Sequence, residues 1–277
     1  MERYSKFANF NVSFPASFVA QVEVNRPDRL NAYDQMTWLQ LGGIFNVLSV
    51  DSDVKAVILT AAGDRAFTAG LDVTPELMAS NLGGRLEDER KRIQTRQIIR
   101  GFQDAISAIE NCNKPVIGVA HGISFGLAID ILSAADVRIC TSDVRFCVKE
   151  VDIGLAADIG TLQRFPKIVG STSWCREVVF TACEFSATEA LKHGFVSHVE
   201  SNKRAALAAA LKLAQVVVEK SPVAVQSSKH LMNYSRDRTV QDGLEYTAAW
   251  NAFAIGRDTD DAVAAFAMRK KPVFGKL

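Results

Sequence analysis

The chain has 277 residues, 48% of them hydrophobic and 23% charged, and a formal net charge of +1. This is the composition of a folded chain with a sizeable core. It offers no bulk positive field for nucleic acid or an acidic membrane, and no run approaches the roughly 18 apolar residues that a membrane span needs. From the N-terminus, two short strands are predicted within 9–25, around Phe14-Pro15-Ala16, where Phe18, Ala20, Val22 and Val24 alternate. A turn over 25–29 ends them, a helix is expected over about 34–50, and 54–60 reads as a buried parallel strand, continuous in apolar and β-branched residues. Residues 87–111 carry Ile93, Ile98, Phe102, Ile106 and Ile109 at helical intervals and predict a long amphipathic helix, whose mixed charges over 85–100 form a solvated face. A second buried strand, 115–120, leads into a turn over 121–126 and an apolar helix over 127–135. A strand pair at about 137–148 and a Gly- and Ala-rich loop over 154–160 follow, leading into another helix. From about 201 the chain turns Ala-rich, with helices expected at 203–220, 222–234, 240–256 and 260–270.

The five cysteines, Cys112, Cys140, Cys147, Cys175 and Cys183, are odd in number, scattered and set mostly among apolar residues. They read as reduced core thiols, with neither a CxxC pair nor a His cluster at metal-ligand spacing, so no metal is expected. The N-terminal segment Met1-Glu2-Arg3-Tyr4-Ser5-Lys6 lacks the apolar stretch of a secretory signal. The final Gly275-Lys276-Leu277 differs by one residue from the peroxisomal address Ser-Lys-Leu, so a peroxisomal location is expected, with a mitochondrial or cytoplasmic one as the alternative.

Chemistry is concentrated around the 121–126 turn. Asp130 lies in Leu127-Ala128-Ile129-Asp130-Ile131-Leu132, Glu150 follows the strand pair, and Asp158 lies in the Gly-rich loop. Burial disfavours an ionised carboxylate, and carboxylates that converge split their proton affinities, so one site can then hold an acid and a base near neutral pH. The bland alternative is a structural partner for each, such as Arg138, Lys149 or Arg164. Gly126-Leu127 opens a helix, and Ala69-Gly70-Leu71 forms a second small-residue turn. Together these turns offer two backbone N–H groups to a developing negative charge.

Ala66-Phe67-Thr68-Ala69-Gly70-Leu71-Asp72, Val119-Ala120-His121-Gly122 and Ser133-Ala134-Ala135-Asp136-Val137-Arg138 resemble the signature segments of the crotonase, or enoyl-CoA hydratase/isomerase, superfamily. Residues 149–164 resemble one branch of it, the Δ3,5-Δ2,4-dienoyl-CoA isomerases, and the likeness runs from about Val24 to the tail. The resemblance implies an α/β fold, a crotonase-like spiral of ββα units over 1–200, with a helical C-terminal region over 201–277 that serves oligomerisation. It implies an acyl-CoA thioester as the substrate, a homotrimer or homohexamer, and neither metal nor cofactor. Its catalytic carboxylates map onto Asp130, Glu150 and Asp158, and its oxyanion-hole donors onto the N–H groups of Leu71 and Leu127. Ala69, Gly70 and Gly126 would line the thioester site, and Arg29 and Lys270 would meet the coenzyme A phosphates. The implied reaction moves a proton from C2 of a 3,5-dienoyl-CoA to C6, as in the β-oxidation of unsaturated fatty acids.

One departure from the family pattern stands out: three glycines are usual where this chain has Gly126-Leu127-Ala128, and the Leu127 side chain is expected to crowd the thioester or alter the turn. Other readings follow from the same residues. Asp130 and Glu150 alone would suit an enoyl-CoA hydratase or a Δ3-Δ2-enoyl-CoA isomerase. Gly122-Ile123-Ser124-Phe125-Gly126 is a literal G-x-S-x-G with His193, His198 and His230 downstream, as a serine hydrolase would have. A non-catalytic CoA-binding scaffold is the reading that the departure at Leu127-Ala128 favours.

Overall fold

The computed structural model describes residues 2–72 and 89–276. Strands β1 (Phe10–Ala16) and β2 (Val19–Val24) pair antiparallel, with Phe14-Pro15-Ala16 inside β1 and the break at 17–18, later than the sequence suggested; helix α1 (Gln35–Val50) starts where the Asp34 side chain accepts the Thr37 N–H. The other strands are β3 (Ala56–Ala61), β4 (Ala66–Thr68), β5 (Val116–Ala120), β6 (Ile123–Phe125), β7 (Val137–Thr141), β8 (Arg145–Cys147), β9 (Phe185–Ser186) and β10 (His198–Glu200). Between and after them lie α2 (Glu89–Asn111), α3 (Leu127–Ala134), α4 (Thr161–Ile168), α5 (Thr172–Thr181), α6 (Ala187–Lys192), α7 (Lys203–Val218), α8 (Pro222–Ser235), α9 (Val240–Ala254) and α10 (Arg257–Ala267). The predicted start of the long helix at 87, the first residues of its charged run and Leu277 of the tail tripeptide lie outside the described residues.

The strands form a six-stranded sheet, ordered β1-β2-β3-β5-β7-β10, and a four-stranded sheet, ordered β4-β6-β8-β9. Each central strand of the large sheet hands the chain, after a short turn, to a strand of the small one: β3 to β4, β5 to β6, β7 to β8. A helix then carries it back, which is the expected winding of ββα units. Two sequence readings are corrected here. The 121–126 segment is not turn alone, because Ile123–Phe125 pairs in parallel with Arg145–Cys147. Nor are the strands at 137–148 partners of one another, since β7 pairs with β5 and β8 with β6.

Alternation along the large sheet divides the core. Val57 and Leu59 of β3 face the main cluster with α1, α2 and α3, whereas Ala56 and Ile58 face the other side. There Ala206, Ala210 and Ala214 of α7, four residues apart, pack against them with Ile117, Val119 and Ile139. The helix at the start of the C-terminal region thus covers the second face of the sheet. Helix α8 is fastened by buried Lys229, whose Nζ donates to Asp136 Oδ2 at 2.7 Å and to the Lys114 carbonyl at 3.1 Å. Among the cysteines, Cys112, Cys140, Cys147 and Cys175 are buried free thiols, as the sequence suggested, while Cys183 is exposed.

Candidate active site

The site is assembled from the ends of the small-sheet strands. Segment 66–72 is held against 30–33: Asn31 Nδ2 donates to the Ala66 carbonyl at 2.8 Å, Ala69 N–H to the Leu30 carbonyl at 3.0 Å, and Tyr33 N–H to the Gly70 carbonyl at 2.9 Å. Asp72 N–H returns to the Tyr33 carbonyl at 2.9 Å. Tyr33 thus bonds on either side of Leu71 in a parallel bridge, which turns the Leu71 N–H away from it. Gly70 sits at φ +107°, a conformation that favours glycine, and a Cβ built on it would lie 3.9 Å from the Leu127 nitrogen. The two turns singled out in the sequence are therefore neighbours.

Gly126, at φ +52°, precedes the first residue of α3, so the Leu127 N–H is one of the unpaired donors of a helix N-terminus. Leu127 is 3% exposed and belongs to the main core with Ala128.

Three carboxylates approach this point from two segments. All eight residues of α3 are buried, Asp130 among them at 1% exposure, and its Oδ1 accepts the Thr161 N–H at 2.6 Å at the start of α4. Burial, and next the negative charge of Glu150, push the Asp130 carboxyl up to about 7. Glu150 opens a 3-10 turn, and its Oε1 lies 3.4 Å from where a Cβ on Gly126 would be. Its buried Oε2 has no hydrogen-bond partner; burial, with a contribution from Asp158, holds this carboxyl above the ordinary range. Asp158 is half-buried and raised by the same desolvation. Among the described residues none of the three has an ion-pair partner: Lys149 pairs with Asp152, Arg164 with Glu110, and Arg138 donates to the Phe195 and Ala135 carbonyls. The purely structural pairing weighed for them in the sequence is absent there.

Asp158 and Leu71 share the wall of a cleft, otherwise largely apolar, to which α1 gives Trp38 and α2 gives Ile98, Ile99 and Phe102. Sequence reasoning missed this wall, since apolar residues at helical spacing read as core; the half-open positions of Ile98 and Ile99 distinguish it. Arg29 and Lys270 are exposed and line no part of the cleft. Beside Arg29, Arg26 ties the site's edge together through Asp34 and Asp72, each at 3.1 Å. The hydrolase reading fails on geometry: Ser124 is buried in β6, with its hydroxyl directed at the His121 carbonyl. His193 stacks on Trp174 and His230 on Trp250. His121 is itself buried, with Nε2 on the Gly63 carbonyl, and burial lowers its proton affinity to about 4.

Two sheets wound from ββα units, with two adjoining backbone turns and three carboxylates of raised proton affinity, are the plan of a crotonase-type enzyme. The family model for enoyl-CoA hydratase/isomerase matches residues 15–276, and the chain belongs to that family. It is 43% identical, over 88% of its length and 74% of the relative's, to the mitochondrial Δ(3,5)-Δ(2,4)-dienoyl-CoA isomerase of Homo sapiens. To the peroxisomal Δ(3,5)-Δ(2,4)-dienoyl-CoA isomerase of Arabidopsis thaliana it is 38% identical over 94% of both chains. The crystal structure of enoyl-CoA hydratase from Bacillus anthracis superposes with a TM-score of 0.85 at 23% identity, covering 96% of this chain and 98% of that one, a likeness of fold.

Proposed function

We propose that the chain isomerises 3,5-dienoyl-CoA to 2,4-dienoyl-CoA in fatty acid β-oxidation. The observation that carries this reading is the position of Asp158, a carboxyl with raised proton affinity on the wall of a largely apolar cleft that Leu71 also lines. In this reading the thioester oxygen accepts the N–H groups of Leu71 and Leu127, with Ala69, Gly70 and Gly126 giving the close approach. Glu150, ionised, takes the proton from C2; the C–H electron pair enters a dienolate delocalised to C6 and onto the thioester oxygen. Asp158, protonated, delivers a proton to C6, leaving double bonds at C2 and C4, and solvent resets both carboxyls. Asp130 acts on Glu150 through its charge, without a hydrogen bond between them. Such a proton transfer needs neither metal nor cofactor, coenzyme A being part of the substrate.

Arg29, in the turn whose next residue accepts the Ala69 N–H, suits the coenzyme A phosphates, with Lys270 acting from a neighbouring subunit. A homotrimer or homohexamer is supported by the bare apolar side chains of the 201–277 region, where Phe253 is 92% and Phe266 79% exposed. A peroxisomal location draws support from the Arabidopsis relative's name, a mitochondrial one from the human relative's. No helix among the described residues is long and apolar enough to cross a membrane.

The test is to add a 3,5-dienoyl-CoA to the purified protein and follow the ultraviolet absorbance of the 2,4-dienoyl thioester, with a 2-enoyl-CoA alongside. Conversion of the first supports the isomerase; hydration of the second without it would replace this reading with a hydratase.

A further inference from the structure

Helix α2 does two jobs on adjacent faces. Ile98, Ile99 and Phe102 line the apolar cleft. Gln103, Ser107 and Glu110, four and three residues apart, form a polar stripe turned toward the Gly-rich loop and α4. The contacts of this stripe are specific. Gln103 Nε2 donates to the backbone carbonyl of Asp158 at 2.6 Å. Ser107 Oγ accepts Arg164 Nη2 and Glu110 Oε2 accepts Arg164 Nε, both at 2.9 Å. Arg164 packs over Gly160, whose φ of +148° and missing Cβ leave the space its guanidinium fills. A loop without regular structure is thus tied to a long helix at its end, and Asp158 is the residue whose backbone is held directly.

Resting on the isomerase reading above, we infer that Gln103 is a positioning residue for Asp158: its amide fixes where the loop presents that carboxyl along the cleft. Gln103 touches no reacting atom. It acts by removing the freedom of a half-buried loop residue to turn toward water, and it does so from the helix that the acyl chain would contact one residue away, at Phe102. Glu150, which sits on the other side of the loop in its own 3-10 turn, receives no bond from this stripe.

That separation makes the inference testable, because the two half-reactions can be read apart. In deuterium oxide, exchange at C2 reports abstraction and return by Glu150, whereas 2,4-dienoyl formation also requires delivery at C6. Gln103→Met keeps the length of the side chain and removes the donor. Displacing a reacting group by about 1 Å costs on the order of a hundredfold. The expected result is a ten- to hundredfold lower kcat for isomerisation, KM unchanged, and C2 exchange within about twofold of the wild type. Retained exchange also reports that the variant is folded. Wild-type kcat in Gln103→Met would overturn the inference, as would equal loss of isomerisation and exchange, which is the mark of general disruption. A wild-type protein that exchanges nothing at C2 and forms no dienoyl product would instead remove the isomerase reading, and this inference with it.

Discussion

Helix α3 and the 149–160 loop each bring carboxylates to one point, under opposite constraints. Asp130 is enclosed on every side of a fully buried helix and is fastened by the Thr161 N–H. Glu150 and Asp158 sit on a partly exposed segment, with neither carboxyl in an ion pair among the described residues, and Glu150 carries a buried oxygen without a hydrogen-bond partner. In the isomerase reading proposed above, the difference separates an anchor from working groups: a carboxylate that must exchange protons with a substrate needs a free lone pair, whereas one that shapes the field around it does not.

The strongest way to break this comparison is Glu150→Gln. Loss of a general base costs ~10²–10⁴ in rate, and here both 2,4-dienoyl formation and C2 exchange should fall together, measured by absorbance and by mass spectrometry of recovered thioester. Its pH profile sharpens the point. Because burial holds the Glu150 carboxyl above its ordinary value, kcat should decline on the acid side at a pH above the usual carboxylate range. Asp158→Asn comes next, with isomerisation down by ~10²-fold and exchange retained; equal loss of both would mean that the loop carboxylates do not divide the work.

Gly160→Ala tests the junction between the two regions. A Cβ there collides with the Arg164 guanidinium at a φ that L-residues rarely adopt, so a loss of about 1–3 kcal/mol in a denaturant titration is expected, with a shifted Asp130–Thr161 contact. The gentlest probe is Asp130→Asn. The folded-state carboxyl keeps its proton from the ordinary 3.8 up to about 7, so folding takes up a proton in that interval and the wild type loses stability as pH rises through it. At about 1.4 kcal/mol per unit, the penalty at pH 8 is at most on the order of 4 kcal/mol. The variant should lack this slope between pH 4 and 8 in thermal melts while keeping an oxygen for Thr161.

What was legible in the sequence follows physical scale. β3 and β5 are continuous apolar runs buried on both faces, and α7 announces itself through alanines four residues apart. The three-residue strands β4, β6 and β8 carry too few side chains for a period to register, so β6 read as turn and β8 as a partner of β7. The carboxylates and the two turns were found through the order of residues in the segments that resemble the family. The cleft wall was not, because Trp38 and Phe102 stack with ring centroids 4.8 Å apart and look like ordinary core until the fold leaves one side of that stack open. Gln103 was invisible for a related reason: a polar residue on an amphipathic helix reads as solvent-facing unless the loop it meets is already known.

The winding of the chain has a kinetic corollary. Leu71 follows β4, Leu127 and Asp130 follow β6, and Glu150 and Asp158 follow β8, so the site takes one contribution from each of three successive repeats and none of them holds it alone. Contacts between segments so far apart in sequence form late, after loop-closure entropy has been overcome. During refolding from denaturant, helical signal should therefore recover well before turnover does, and the interval between the two would time the closing of the last repeat.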